Sequence, residues 1–137
     1  YEGPVGNHSF TNFEVKALIK TQEGANSGLF ICTAFQDTGW PSQGYEIQVN
    51  NSHTDWRRTA SLYGIVDTAE KLVHDEEWFE LYVKVEGNHV TTKINGRTVV
   101  DYEEPADKKR IQPGTIAIQA HDPKSKIAYK SVQVFVH

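Results

Sequence analysis

Two short segments of the 137-residue chain interleave chemically capable side chains with aliphatic ones: Tyr45-Glu46-Ile47-Gln48-Val49 and Ile116-Ala117-Ile118-Gln119-Ala120-His121-Asp122. A β-strand sends successive side chains to opposite faces. If Tyr45, Ile47 and Val49 face a core, Glu46 and Gln48 share the other side. By the same parity Gln119 and His121 leave the side taken by Ile116 and Ile118. A carboxylate, an imidazole and two amides on one rigid surface can take a proton, return it and hold hydroxyl groups. General acid–base work needs such a carboxylate or imidazole, tuned by partial burial. The plainer reading leaves Glu46 as an outward glutamate in ordinary water. His121 stands apart from the other five histidines because it ends a strand and precedes Asp122-Pro123.

A third segment, Asn50–Ala60 (NNSHTDWRRTA), is a polar insertion holding Trp56, Arg57 and Arg58. An exposed Trp offers an apolar face to a sugar ring, and Arg offers forked donors to hydroxyl or carbonyl oxygens. Loops of this kind on a rigid scaffold often carry binding residues. The alternative makes Trp56 a loop anchor and the arginines solvated. Trp40, beside Gly39 and Pro41, shares that ambiguity, whereas Trp78 opens a strand and reads as core.

Other chemistries lack their marks. There is no phosphate loop, dinucleotide fingerprint, G-x-S-x-G elbow or H-E-x-x-H helix, and no cofactor is expected. Glu46, His121 and Asp122 follow no ligand-spacing rule, so no metal site is assigned. Cys32 has no partner for a disulfide, and within Leu29-Phe30-Ile31-Cys32 it reads as core packing. Fourteen Lys and Arg against eighteen Asp and Glu leave a net charge of −4, which argues against nucleic acid as a partner. No apolar run approaches the ~20 residues of a membrane-spanning helix. The chain opens at Tyr1 without Met or a signal-peptide core, as a processed product or a fragment would.

These segments must be carried by strands. Phe13, Val15, Ala17 and Ile19 alternate with Glu14, Lys16, Leu18 and Lys20, and further runs cover Gly28–Ala34, Tyr45–Val49, Trp78–Glu86, His89–Ile94, Arg97–Tyr102, Thr115–Gln119 and Ala128–Val136. Turn signals separate them, and Asn95-Gly96 suits a two-residue type I′ hairpin. Only Asp67–His74 suggests a helical turn, with Thr68 as its cap. The expected fold class is all-β: a two-sheet antiparallel sandwich or jelly roll in one domain over 1–137, with under ~10% helix against a usual ~30%. Residues 1–12 read as a frayed start or edge loop. The expected core includes Val15, Ile31, Ile47, Phe79, Leu81, Val83, Ile94, Ile116 and Ile118.

The order of segments is more specific than any one residue. Ala25-Asn26-Ser27-Gly28-Leu29-Phe30, Gly44–Val49, Ser61-Leu62-Tyr63-Gly64, Trp78, Val83–Val90, Ile94-Asn95-Gly96, Val99–Tyr102 and Ile116–Asp122 follow one another. From about Asn12 to Val136 the chain resembles the 3-keto-disaccharide hydrolase domain, a concanavalin A-like lectin/glucanase jelly roll. The resemblance implies a secreted or periplasmic bacterial domain that cleaves glycosides already oxidised at C3. It also implies that Glu46, Gln48, Gln119 and His121 share a concave face, with Asn26 and Tyr63 at its rim. The family's usual N-terminal segment is not evident before Phe13, and its Gly-Glu-Trp-Asn lead-in is replaced by Asp75-Glu76-Glu77-Trp78-Phe79. Three functional classes follow. The first is an enzyme with Glu46 and His121 as base and acid, and with Asn26, Gln48, Trp56, Arg57, Arg58, Tyr63 and Gln119 binding substrate. The second is a carbohydrate-binding module on the same sandwich, and the third a structural interaction domain.

Overall fold

The computed structural model describes residues 9–120 and 122–137. Eight strands follow in order: β1 (Phe13–Thr21), β2 (Ser27–Thr33), β3 (Tyr45–Val49), β4 (Phe79–Glu86), β5 (His89–Ile94), β6 (Arg97–Glu103), β7 (Thr115–Ile118) and β8 (Ile127–Val136). They form a five-stranded sheet, β6-β5-β4-β1-β8, and a three-stranded sheet, β3-β2-β7, with every pairing antiparallel. The expected all-β sandwich is therefore what the chain builds.

Alternation produces the core. Phe13, Val15, Ala17 and Ile19 of β1 are buried, while Glu14, Lys16, Leu18 and Lys20 are only partly so. Phe79, Leu81, Val83 and Val85 meet them from β4, and Leu29, Ile31, Ile47 and Ile116 close the core from the small sheet. The β5–β6 hairpin turns on Asn95 (φ 48°) and Gly96 (φ 82°), both left-handed as a type I′ turn requires. Cys32 is buried, and desolvation pushes its thiol up to about 12, which leaves it unreactive.

Four expectations need correction. Ile118 is 44% exposed. It shares a face with buried Ile116, but β7 is an outer strand of the small sheet; Val132 and Val136 of β8, an outer strand of the other sheet, are open as well. Asp67–His74 forms no helix. The Thr68 hydroxyl does accept the Glu70 N–H at 3.1 Å, as a cap would, but the chain then runs on irregularly to bury Val73 in the core. Trp78 lies just ahead of β4 rather than in the core, and the ammonium groups of Lys20 and Lys130 stand 5.3 and 5.8 Å from its ring. Finally, Phe10 does not fray: it is buried, packs on Phe13 and exchanges backbone hydrogen bonds of 2.7 and 3.1 Å with Gly114. Tyr1–His8 lie outside the described residues.

Candidate functional site

The register of the small sheet builds a polar surface in rows. Phe30 of β2 lies opposite Glu46 of β3 on one side and Ala117 of β7 on the other. One row along, Gly28 is opposite Gln48, and its carbonyl accepts the Gln119 N–H at 2.8 Å. Paired residues in an antiparallel ladder point to the same face. Glu46, Gln48 and Gln119 therefore surround a position with no side chain, on the face turned away from the core. A side chain at this position would displace Glu46, because a Cβ on Gly28 would lie 2.8 Å from Glu46 Cγ and closer still to a carboxylate oxygen. The carboxyl group of Glu46 lies folded back over Gly28.

This face is the floor of a cavity of about 420 Å³. Asn26, Glu46, Gln48, Tyr63 and Gln119 all line it, so the structure brings five of the expected site residues together. Gln48 is only 1% exposed, because the Thr59–Tyr63 segment runs along the outer edge of β3. The Gln48 N–H donates to Ser61 O at 2.9 Å, Ala60 N–H to Gln48 O at 2.9 Å and Tyr63 N–H to Glu46 O at 2.9 Å. Those bonds place Tyr63 beside Glu46. Three buried amide oxygens, Asn26 Oδ1, Gln48 Oε1 and Gln119 Oε1, have no hydrogen-bond partner among the described residues. Buried polar atoms in folded proteins are nearly always bonded, so three orphan acceptors among the residues lining one cavity leave it with unmet capacity for donors.

Electrostatics single out one group. Burial, with a smaller push from the like charge of Asp55, raises the Glu46 carboxyl from 4.5 to about 7. Asp55 behaves oppositely. Burial works against its charge, but the Arg57 N–H at 3.0 Å, the Tyr63 hydroxyl at 2.9 Å and the Arg57 charge together hold it below the usual carboxylate range. Tyr63 is raised by donating to Asp55 and then by burial. The result is a neutral-range carboxyl group facing the cavity and an ionised one behind it. Among the described residues no three His, Cys, Asp or Glu side chains come together as a metal site.

The Asn50–Ala60 loop does not wall the cavity as expected; no residue of it lines the space. The Arg58 guanidinium is committed inside the loop, donating to Asn50 Oδ1 at 3.0 Å, His53 O at 3.0 Å and Asp55 O at 2.8 Å. Arg57 pairs with Asp67 at 3.2 Å and stacks on Trp56 and Tyr63, 5.1 and 4.6 Å from their ring centres. Trp56, 52% exposed, thus packs on an arginine outside the cavity. The walls come instead from Trp40, Pro41, Gln43, Tyr45 and Arg110. Only Trp40 carried a sequence signal, its Gly-Trp-Pro setting; Arg110 had none. His121 lies outside the described residues.

The sheets and their order define the class: an antiparallel jelly-roll sandwich with a polar cavity on the outer face of its smaller sheet. Solved structures share the fold. A candidate glycosyl hydrolase from Parabacteroides distasonis ATCC 8503 matches with a TM-score of 0.75 at 20% identity over 94% of this chain and 80% of that one. The carbohydrate binding module CBM66 from Bacillus subtilis matches at 0.67 and 12% over 92% and 76%. A homodimeric agglutinin from chicken liver, CG-16, matches at 0.56 and 11% over 94% and 96%. No curated protein sequence matches the chain. A family model described as 3-keto-alpha-glucoside-1,2-lyase-like domain covers residues 5–135, and the chain belongs to that family. The family is hydrolase-like.

Proposed function

We propose that this domain cleaves glycosides oxidised at C3, with Glu46 as the base that removes the C2 proton. The observation that carries the reading is the Glu46 carboxyl, desolvated over Gly28 and poised near neutrality inside a cavity of unpaired amide acceptors. A C3 ketone acidifies the neighbouring C2–H. Glu46 takes that proton, and its bonding electrons move into an enolate on the C3 oxygen. Collapse of the enolate forms the C1–C2 double bond, breaks the bond from C1 to its substituent and re-forms the ketone. The leaving oxygen receives a proton, and addition of water across the double bond then gives net hydrolysis. One base, one acid and donors to an enolate suffice, unlike the two spaced carboxylates of ordinary glycosidases. The amide groups of Asn26, Gln48 and Gln119 hold sugar hydroxyls, and His121 is the proposed acid. The family resemblance supports a secreted or periplasmic setting, which cell fractionation tests.

The experiment compares release of the C1 substituent from a 3-keto-glucoside and from the same glucoside unoxidised, in D2O, with exchange at C2 followed by NMR. Rapid cleavage and C2 exchange of the oxidised substrate alone, both lost in Glu46→Gln, are expected. Binding of both sugars without cleavage or exchange would favour a carbohydrate-binding module, the reading that the CBM66 likeness keeps in view.

A further inference from the structure

One wall of the cavity is an arginine held in place by the fold. The buried carboxylate of Glu104 accepts the backbone N–H groups of Arg110 at 2.8 Å and Ile111 at 3.1 Å, and the Tyr45 hydroxyl at 2.6 Å. Lys109, immediately before it, sits at φ 51°, a left-handed conformation that a side-chain-bearing residue adopts at some cost. That turn and the Glu104 clamp deliver Arg110 to the start of β3. There its Nε donates to Gly44 O at 3.0 Å, and its guanidinium lies 4.7 Å from the centre of the Tyr45 ring. Both Nη groups are left without a protein partner among the described residues, and no carboxylate there pairs with the cation.

Arg110 carries the only cation among the described residues lining the cavity; the rest of the lining is aromatic rings, side-chain amides, Pro41, Gly44 and Glu46. Arg110 sits at Gly44 and the Tyr45 ring, at the start of β3, whereas the Glu46 carboxyl folds the other way, over Gly28. The two charges therefore occupy separate parts of the space. An immobilised, half-buried guanidinium with its two outer nitrogens unused is a fork for a planar oxyanion. From this geometry we infer that Arg110 selects glycosides bearing a carboxylate, bound at the end of the cavity away from the base. The inference rests on the cavity's being a glycoside site, as proposed above, but not on the elimination chemistry. The carboxylate belongs either to the group attached at C1 or to the sugar itself as a uronate.

Binding of unoxidised glycosides tests it without any turnover. By NMR titration of the intact domain, 4-carboxyphenyl β-D-glucoside is compared with the isosteric 4-carbamoylphenyl β-D-glucoside, and phenyl β-D-glucuronide with phenyl β-D-glucoside. At least one carboxylate should bind roughly 10–100-fold more tightly than its neutral counterpart, the range expected of a charge-assisted fork. The preferred pair identifies where the carboxylate sits. The preference should weaken with added salt, vanish in Arg110→Gln and survive in part in Arg110→Lys, with thermal melts confirming that both variants fold. Equal binding within both pairs, no binding of any of the four, or a preference that persists in a folded Arg110→Gln protein would overturn the assignment. A carboxylate preference without C2 exchange would instead retain Arg110 and remove the elimination chemistry.

Discussion

Glu14 and Glu46 occupy equivalent places in their strands and different chemical worlds. Each is an outward glutamate flanked by buried residues, Phe13 and Val15 in one case, Tyr45 and Ile47 in the other. On the five-stranded sheet Glu14 accepts a 2.6 Å hydrogen bond from Tyr82, has His137 and Lys84 nearby, and is held below its ordinary value, first by that bond. On the three-stranded sheet no described residue makes a comparable bond to Glu46, and burial raises it to about 7. Identical parity therefore yields a solvated, paired carboxylate on one sheet and a candidate base on the other. What differs is the cover: the Thr59–Tyr63 segment and the walls from Trp40 to Tyr45 and Arg110 close over one face, while the other stays open.

The comparison can be broken most decisively by Glu46→Gln, which should lower kcat on a 3-keto-glycoside by ~10²–10⁴, the loss typical of removing a general base. Glu14→Gln should leave turnover near wild type; a comparable fall there would mean that the two faces do not differ in function. Gly28→Ala is expected next, because its methyl group occupies the space of the Glu46 side chain. A displacement of about 1 Å at a reacting group can cost ~10² in rate. Circular dichroism should show the sandwich intact while kcat falls, and unchanged kcat would sink the Gly28 floor.

The pH dependence sharpens the contrast further. With a base near 7, kcat/KM should rise about tenfold per unit below pH 7 and level off above it. Asp55→Asn removes a like charge and should move that profile to lower pH, by less than the effect of burial. The Glu46 carboxyl is raised on folding, so its favourable contribution is complete below about 4.5 and is lost as pH rises through 7. Glu46→Gln should therefore stabilise the fold by roughly 1–3 kcal/mol at pH 8, with little gain at pH 4, measured by urea denaturation at the two values. Glu14 has the opposite sign, and its Gln variant should lose stability on the alkaline side. The smallest effect belongs to Trp56→Ala, which should change stability by no more than about 0.5 kcal/mol as a surface substitution. Its effect on sugar affinity should be slight, and a large loss would return the Asn50–Ala60 loop to the site.

Much of this was legible in order and type alone. Period-two alternation identified the strands, Asn95-Gly96 identified its hairpin, and the parity of Glu46, Gln48 and Gln119 assigned them to one outward face. The misplacements share a cause. Ile118 has the right parity for the core but lies at an edge where parity no longer implies burial. Trp56 and the two arginines looked like sugar-binding groups because their types suit that work. Their side chains are instead taken up by Asn50, Asp67 and one another.

By itself the sequence determined which side of each strand every residue takes, because side-chain direction follows from backbone geometry within a few residues. Only the tertiary structure decided which outward face is covered, which amide oxygens are left unpaired there and which cation arrives at its wall. Arg110 reaches Gly44 across 66 residues, and Glu104 reaches Tyr45 across 59. Desolvation of Glu46 likewise comes from neighbours that folding brings over its face, Tyr63 and the cavity walls among them, and the alternation that turned it outward did not show that cover.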